Sequence, residues 1–215
     1  MIKAVIFDMD GLIIDSEPLW RKSEMEVFHS MGYHFTEEMC IQTMGMRINE
    51  VVKYWHDQFG WKSHSIKEVI DNIQDKLIEN VKNHGKALEG VDTAIEYLNK
   101  RNLLTAIASS SSFKIIAAVT EKLKLKDKFN IIHSAENEIE GKPHPAVFLT
   151  TSDKLGVKPE ECIVLEDSKF GMQAGLHAGM KVIVIPEKGT QPDWIKNADY
   201  HYSSLSEINW KDHIS

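Results

Sequence analysis

The sequence predicts an α/β fold, a parallel-sheet core interrupted by an inserted all-helical domain. Three observations point there. Short continuous apolar runs recur, each closed by turn residues and followed by helical periodicity, the pattern of parallel strands buried on both faces. The stretch between the first two runs exceeds the roughly 30 residues of a simple crossover by on the order of 70 residues. That excess is amphipathic throughout, so a structureless loop is excluded.

The first strand is Ala4-Val5-Ile6-Phe7. In the excess, Leu19, Trp20, Ser23, Val27 and Met31 share one helical face. Ile48, Val51, Val52 and Trp55 share a second, and Ile66, Val69, Ile70, Ile73 and Leu77 a third. Gly32, Gly60 and Gly85 punctuate these helices. The chain thus divides into a core, residues 1–15 and 86–215, and a helical insert, residues 16–85. Val91, Ala94, Ile95 and Leu98 stripe a helix over 91–101. Strands are expected at 103–108, weakly at 131–132, then at 162–165, 182–185 and 200–202, with helices over 113–125, 145–155 and 168–179. On the last helix Gly171, Gly175 and Gly179 recur every four residues. Each lowers helix stability by about 1 kcal/mol relative to alanine, so a close approach to the sheet is expected there.

Composition narrows the function. Of 215 residues, 42% are apolar and 27% charged, enough to build a core. Acids outnumber bases 32 to 25, a net charge of −7 that disfavours nucleic acid and membrane surfaces. No apolar run approaches the roughly 20 residues of a membrane helix. Asp8 ends the first apolar run too early for a signal peptide. Cys40 and Cys162 offer neither a disulfide framework nor zinc spacing, which fits a reducing cytoplasm. A monomer is the simplest expectation.

Ligands of open parallel sheets bind beyond the carboxyl ends of the strands. Four polar clusters fall there: Asp8-Met9-Asp10, Ser109-Ser110-Ser111-Ser112, Gly141-Lys142-Pro143-His144-Pro145 and Glu166-Asp167-Ser168. Asp8, Asp10, Glu166 and Asp167 would crowd carboxylates whose pairwise repulsion is about 4 kcal/mol at 4 Å and an effective dielectric near 20. Such a cluster calls for a cation, and hard oxygen ligands favour Mg²⁺ over zinc. Lys142 and the serines suit a phosphate. Metal, carboxylate and phosphate-binding groups together read as phosphoryl transfer through an aspartyl-phosphate. Taken singly these clusters are ordinary: Ser112 could cap the helix from Phe113, and Glu166-Asp167-Ser168 could be a capping arrangement. Dinucleotide-binding, P-loop and nucleophile-elbow motifs are absent from the sequence.

The sequence resembles the haloacid dehalogenase-like superfamily in its β-phosphoglucomutase-like branch. The match rests on Asp8-Met9-Asp10-Gly11-Leu12, Ser109, Lys142-Pro143-His144-Pro145 and Glu166-Asp167-Ser168, with the trailing Gly171, Gly175 and Gly179. Residues 8–20 look most like the bacterial sugar-phosphate phosphatases of that branch, which act on 2-deoxyglucose 6-phosphate and hexitol phosphates. The resemblance implies a Rossmann-like core whose insert is a cap domain. It implies Asp8 as nucleophile and Asp10 as general acid and base. Ser109, Ser110 and Lys142 would bind the phosphoryl group. Asp8, Asp10 through its carbonyl, Glu166 and Asp167 would form the Mg²⁺ site, with Glu166 in direct contact or one layer back. Asp8, facing the metal, would stay ionised. The loop Thr43-Met44-Gly45-Met46-Arg47 resembles the branch's specificity loop, making Arg47 a candidate substrate contact or else a solvated helix-start arginine. Trp20 could wall the pocket or sit in the cap core. Mutases of the branch carry histidine at Trp20 and lysine at Met44, so hydrolysis of a small sugar or polyol phosphate is expected ahead of mutase activity. A non-catalytic phosphometabolite sensor is a further alternative.

Overall fold

The computed structural model describes residues 1–43 and 46–214. Strand β1 (Ala4–Phe7) is buried at every position and sits mid-sheet, between β2 (Leu104–Ser109) and β4 (Cys162–Glu166). β3 (Ile131–Ser134) lies outside β2, and β5 (Lys181–Val184) then β6 (Tyr200–His201) lie outside β4. All six strands run parallel, in the order β3-β2-β1-β4-β5-β6. The winding direction reverses between β1 and β4, which opens a crevice beyond their carboxyl ends.

The pleat sorts side chains onto two faces. Val5, Phe7, Ile107, Ile163, Leu165 and Ile183 pack with α5 (Val91–Asn99) and α6 (Phe113–Lys122). Ala4, Ile6, Ala106, Ala108, Val164 and Val182 pack with α7 (Ala146–Leu155) and α8 (Lys169–His177). The chain closes on the short α9 (Lys211–Ile214), preceded by Trp210, which joins the first face.

Between β1 and α5 the elements are helical: α1 (Glu17–Ser30), α2 (Glu37–Gln42), α3 (Ile48–Phe59) and α4 (Ile66–His84). Thr36 caps α2 through Met39 N–H, and Ser65 with Glu68 forms a capping box on α4. Their apolar faces build a separate cluster around Phe28, Phe35, Val52, Trp55, Val69 and Ile73. Helix α4 serves both bodies, because Leu77 and Val81 on its last turns enter the sheet-side core. The two connecting segments meet in an antiparallel bridge between Ile14 and Ala87. Among the described residues no helix is long and apolar enough to cross a membrane.

The differences from expectation have local causes. β3 runs on to Ser134 because His133 and Ser134 pair with Ala108 and Ser109. Helix α6 stops at Lys122, since Lys124 takes φ 57° and Leu125 N–H turns back to Thr120 O. Helix α8 stops at His177, and Gly179 at φ 73° terminates it. Gly179 therefore serves the turn, with open space around it, while Gly175 meets Val182 and Val164 of the sheet, as close sheet packing requires.

Candidate active site

The carboxyl ends of β1 and β4 set the site. Asp8 is the first residue past β1, held to β4 by its N–H donating to Leu165 O at 2.9 Å. The chain then turns sharply at Gly11, which has φ 72°. A methyl on Gly11 would also fall 2.0 Å from Asp167 Oδ2, so glycine is required twice over. Carboxylate oxygens of Asp8, Glu166 and Asp167 lie within 4.8 Å of one another. Lys142 Nζ donates to Asp8 Oδ1 and to Glu166 Oε1, both at 2.5 Å, and sits 4.9 Å above the Phe148 ring.

Glu166 is saturated. Its Oε1 takes Lys142, and its Oε2 accepts from Asp167 N–H, Ser168 N–H and Ser168 Oγ. Ser168 does cap α8, accepting from Gly171 N–H at 3.0 Å. Gly171 has its own reason: a methyl there would fall 1.8 Å from Glu166 Oε1. The glycine thus packs against the last residue of β4, a close approach to the sheet at a carboxylate of the site.

Asp10 is held from two sides. Ser111 Oγ donates to its Oδ2 at 2.7 Å and Ser109 Oγ to the same oxygen at 3.4 Å, while Trp20 Nε1–H donates to Oδ1 at 3.3 Å. Ser109 is fully buried, and its hydroxyl also accepts from Ser111 N–H. The serines facing the cavity are Ser110, Ser111 and Ser112. Ser112 precedes α6, yet its hydroxyl makes no capping bond; Phe113 N–H donates instead to Glu136 Oε2.

Core and insertion enclose one cavity of about 550 Å³. Asp8, Asp10, Lys142 and Asp167 line its core side, and Trp20, Thr43 and Arg47 its insertion side. Arg47 is not a solvated helix-start arginine. Its Nε and Nη2 are buried without partners among the described residues, against Gly141, where a methyl would fall 2.0 Å from Nε. Met44 and Gly45 of the same loop lie outside the described residues. Trp20 belongs to both settings anticipated for it, lining the cavity while packing on both neighbouring cores.

Electrostatics follow burial. Burial raises Asp8 to about 7; Glu166 and Asp10 push the same way, and Lys142 opposes. Burial, Glu166 and Asp8 likewise drive Asp167 well above the usual carboxylate range. Burial disfavours charge on Lys142, but Asp8 and Glu166 outweigh it and raise its pKa. Three converging carboxylates against one ammonium leave an all-oxygen donor set short of positive charge, which fits Mg²⁺.

Several cavity residues were given no role from sequence. Glu17, Arg21 and Glu24 line it from α1, and Gln74 from α4. Glu17 is raised to about 7 by burial and then by Asp10. The signal was present in the i, i+4, i+7 spacing of the three α1 residues, which puts them on one face.

Comparison with known proteins agrees with the geometry. Residues 5–185 match the family model described as haloacid dehalogenase-like hydrolase. Hexitol phosphatase B of Escherichia coli K12 is 39% identical over 213 residues, 98% of this chain and 96% of that protein. The phosphorylated carbohydrates phosphatase of Thermotoga maritima is 30% identical over 85% of this chain and 84% of its own. The crystal structure of β-phosphoglucomutase from Clostridium difficile shares the fold, with a TM-score of 0.84 at 22% identity over 99% of this chain and 95% of that one. A motif set spread over four strand ends, a matching sheet and near full-length relatives agree, and the chain belongs to the haloacid dehalogenase-like hydrolase family.

Proposed function

We propose that this chain is a Mg²⁺-dependent phosphatase that hydrolyses small sugar or polyol monophosphates through an aspartyl-phosphate. The observation that carries the reading is the convergence of Asp8, Asp10, Lys142 and Asp167 on one cavity shared with the helical insertion. The names of the phosphatase relatives support the substrate class. The insertion, residues 16–85, is the cap that shields this cavity from bulk water.

The side chains of Asp8 and Asp167 and the main-chain carbonyl of Asp10 would hold Mg²⁺, with Glu166 behind them; when bound, the ion offsets the charge of carboxylates and phosphoryl oxygens. The chain's own groups divide the remaining work. Asp8 Oδ attacks phosphorus and the ester oxygen leaves, taking the proton of the Asp10 carboxyl. Asp10, now a carboxylate, removes a proton from water. The water oxygen attacks phosphorus, the bond to Asp8 breaks, and inorganic phosphate departs with Asp8 restored. Trp20 Nε1–H can only donate, so Oδ1 of Asp10 stays an acceptor. The Ser111 hydroxyl can turn either way and accommodates Oδ2 with or without its proton. Lys142, hydrogen-bonded to Asp8 at 2.5 Å, orients the nucleophile and offers its charge to the phosphoryl oxygens, with Ser110 and Arg47 as further donors on the cavity wall.

The test is p-nitrophenyl phosphate with Mg²⁺ and with chelator, followed by a panel of hexitol, hexose and pentose phosphates. Turnover should require Mg²⁺ and vanish in Asp8→Asn. Conversion of glucose 1-phosphate to glucose 6-phosphate under a bisphosphate activator, with no phosphate released, would overturn the reading in favour of a mutase. Binding of phosphate esters with no turnover at all would favour a sensor.

A further inference from the structure

The insertion side of the cavity holds a pair of polar side chains that the phosphoryl chemistry does not use. Glu24 on α1 is 7% exposed, Gln74 on α4 is 8% exposed, and both line the cavity. Among the described residues Glu24 Oε2 is buried and meets no donor in hydrogen-bond geometry, the Cys40 thiol being the neighbouring weak donor. The helices that carry the two residues are tied to each other beside Glu24, where Asn80 Nδ2, six residues after Gln74, donates to Ser23 Oγ at 3.0 Å. The pair is therefore held on rigid elements, not on a loop.

A buried carboxylate oxygen with no better neighbour than a thiol weakens the fold. An apolar residue of similar size would pack there at no such cost, as Val51, Ile70 and Ile115 do on the same cavity. Retaining the carboxylate makes physical sense if a ligand brings the donor. The neighbouring groups define what kind of donor. Gln74 offers both an amide N–H and an amide carbonyl, and Glu24 accepts or, when protonated, donates. Adjacent hydroxyls on a carbon chain each donate one hydrogen bond and accept others, which matches this pair. An apolar tail would leave both residues unsatisfied.

We propose that Glu24 and Gln74 form the hydroxyl-binding subsite that reads the non-phosphorylated, polyol end of the substrate. The inference rests on the phosphatase reading for the nature of the ligand, and adds the residues that select it. Burial raises Glu24 to about 7, so near neutrality the carboxyl exchanges readily between accepting and donating, which suits hydroxyls better than a cationic or anionic tail.

Binding, not turnover, tests it. In the Mg²⁺-loaded Asp8→Asn protein, isothermal titration gives the affinities of sorbitol 6-phosphate and of inorganic phosphate, which lacks the polyol end. Adding Glu24→Leu should weaken sorbitol 6-phosphate at least about tenfold more than phosphate, the worth of one hydrogen bond to a charged group. Gln74→Leu should act in the same direction and supplies the reading if Glu24→Leu does not fold. Equal weakening of both ligands, or no weakening of either, overturns the subsite while leaving the phosphatase reading intact. Sorbitol 6-phosphate binding no tighter than phosphate in the parent protein also overturns it. Selective weakening in a protein that hydrolyses nothing would sustain the subsite and sink the phosphatase reading.

Discussion

Replacing Glu24 by glutamine should stabilise the protein, and only at neutral and alkaline pH. Glu24 is buried on α1, and burial raises its carboxyl from 4.5 to about 7, with Glu17 adding to the rise and the Cys40 thiol opposing it. The folded state thus keeps a proton that the unfolded chain has released. Stability attributable to this group is fully present below pH 4.5 and is lost as pH rises toward 7. With these two values the loss between pH 5 and pH 8 is about 2–3 kcal/mol. Glutamine has the same shape and nothing to titrate, so Glu24→Gln should escape that loss. Urea unfolding of both proteins at the two pH values measures it. The stability difference should favour the variant by about 2–3 kcal/mol more at pH 8 than at pH 5. A difference that is flat with pH would mean that Glu24 finds a partner or water when folded, and would refute the reasoning.

Other consequences can be checked alongside. Lys142→Met leaves the Asp8 and Glu166 carboxylates buried without their shared ammonium; unfolding stability should fall by about 3–5 kcal/mol and phosphatase activity should disappear. Gly171→Ala favours the helix by about 1 kcal/mol yet forces Glu166 aside, so Mg²⁺ affinity measured by activity titration should drop about 10–100-fold. Gly179→Ala, in open space at φ 73°, should cost about 1–2 kcal/mol in thermal unfolding and leave Mg²⁺ dependence unchanged.

Much of the framework could be read from the chain. β1, β4 and β5 announce themselves as continuous apolar runs, because both faces of a parallel sheet are covered. Polar clusters following successive strands pointed to one edge, and Asp8, Asp10, Lys142 and Asp167 do converge there. What escaped was direction. Four consecutive serines close β2, and only backbone geometry decides that Ser109 and Ser111 reach Asp10 while Ser109 stays off the cavity wall. Glu24 and Gln74 lie 50 positions apart on helices whose pairing is set by packing around Ser23 and Asn80, which periodicity does not show. Gly171 and Gly179 share a spacing but answer different demands, one a carboxylate and the other a left-handed turn.

The central claim is that Asp8 carries the phosphoryl group between substrate and water. Asp10→Asn tests it most directly with p-nitrophenyl phosphate, whose leaving group departs without needing a proton. Removing the base should let Asp8 be phosphorylated and then stall. Rapid quenching should show a burst of one nitrophenolate per protein molecule, and mass spectrometry should find the phosphate on the peptide containing Asp8. Nitrophenolate and inorganic phosphate released in step, with no phosphorylated protein at any time, would contradict the account.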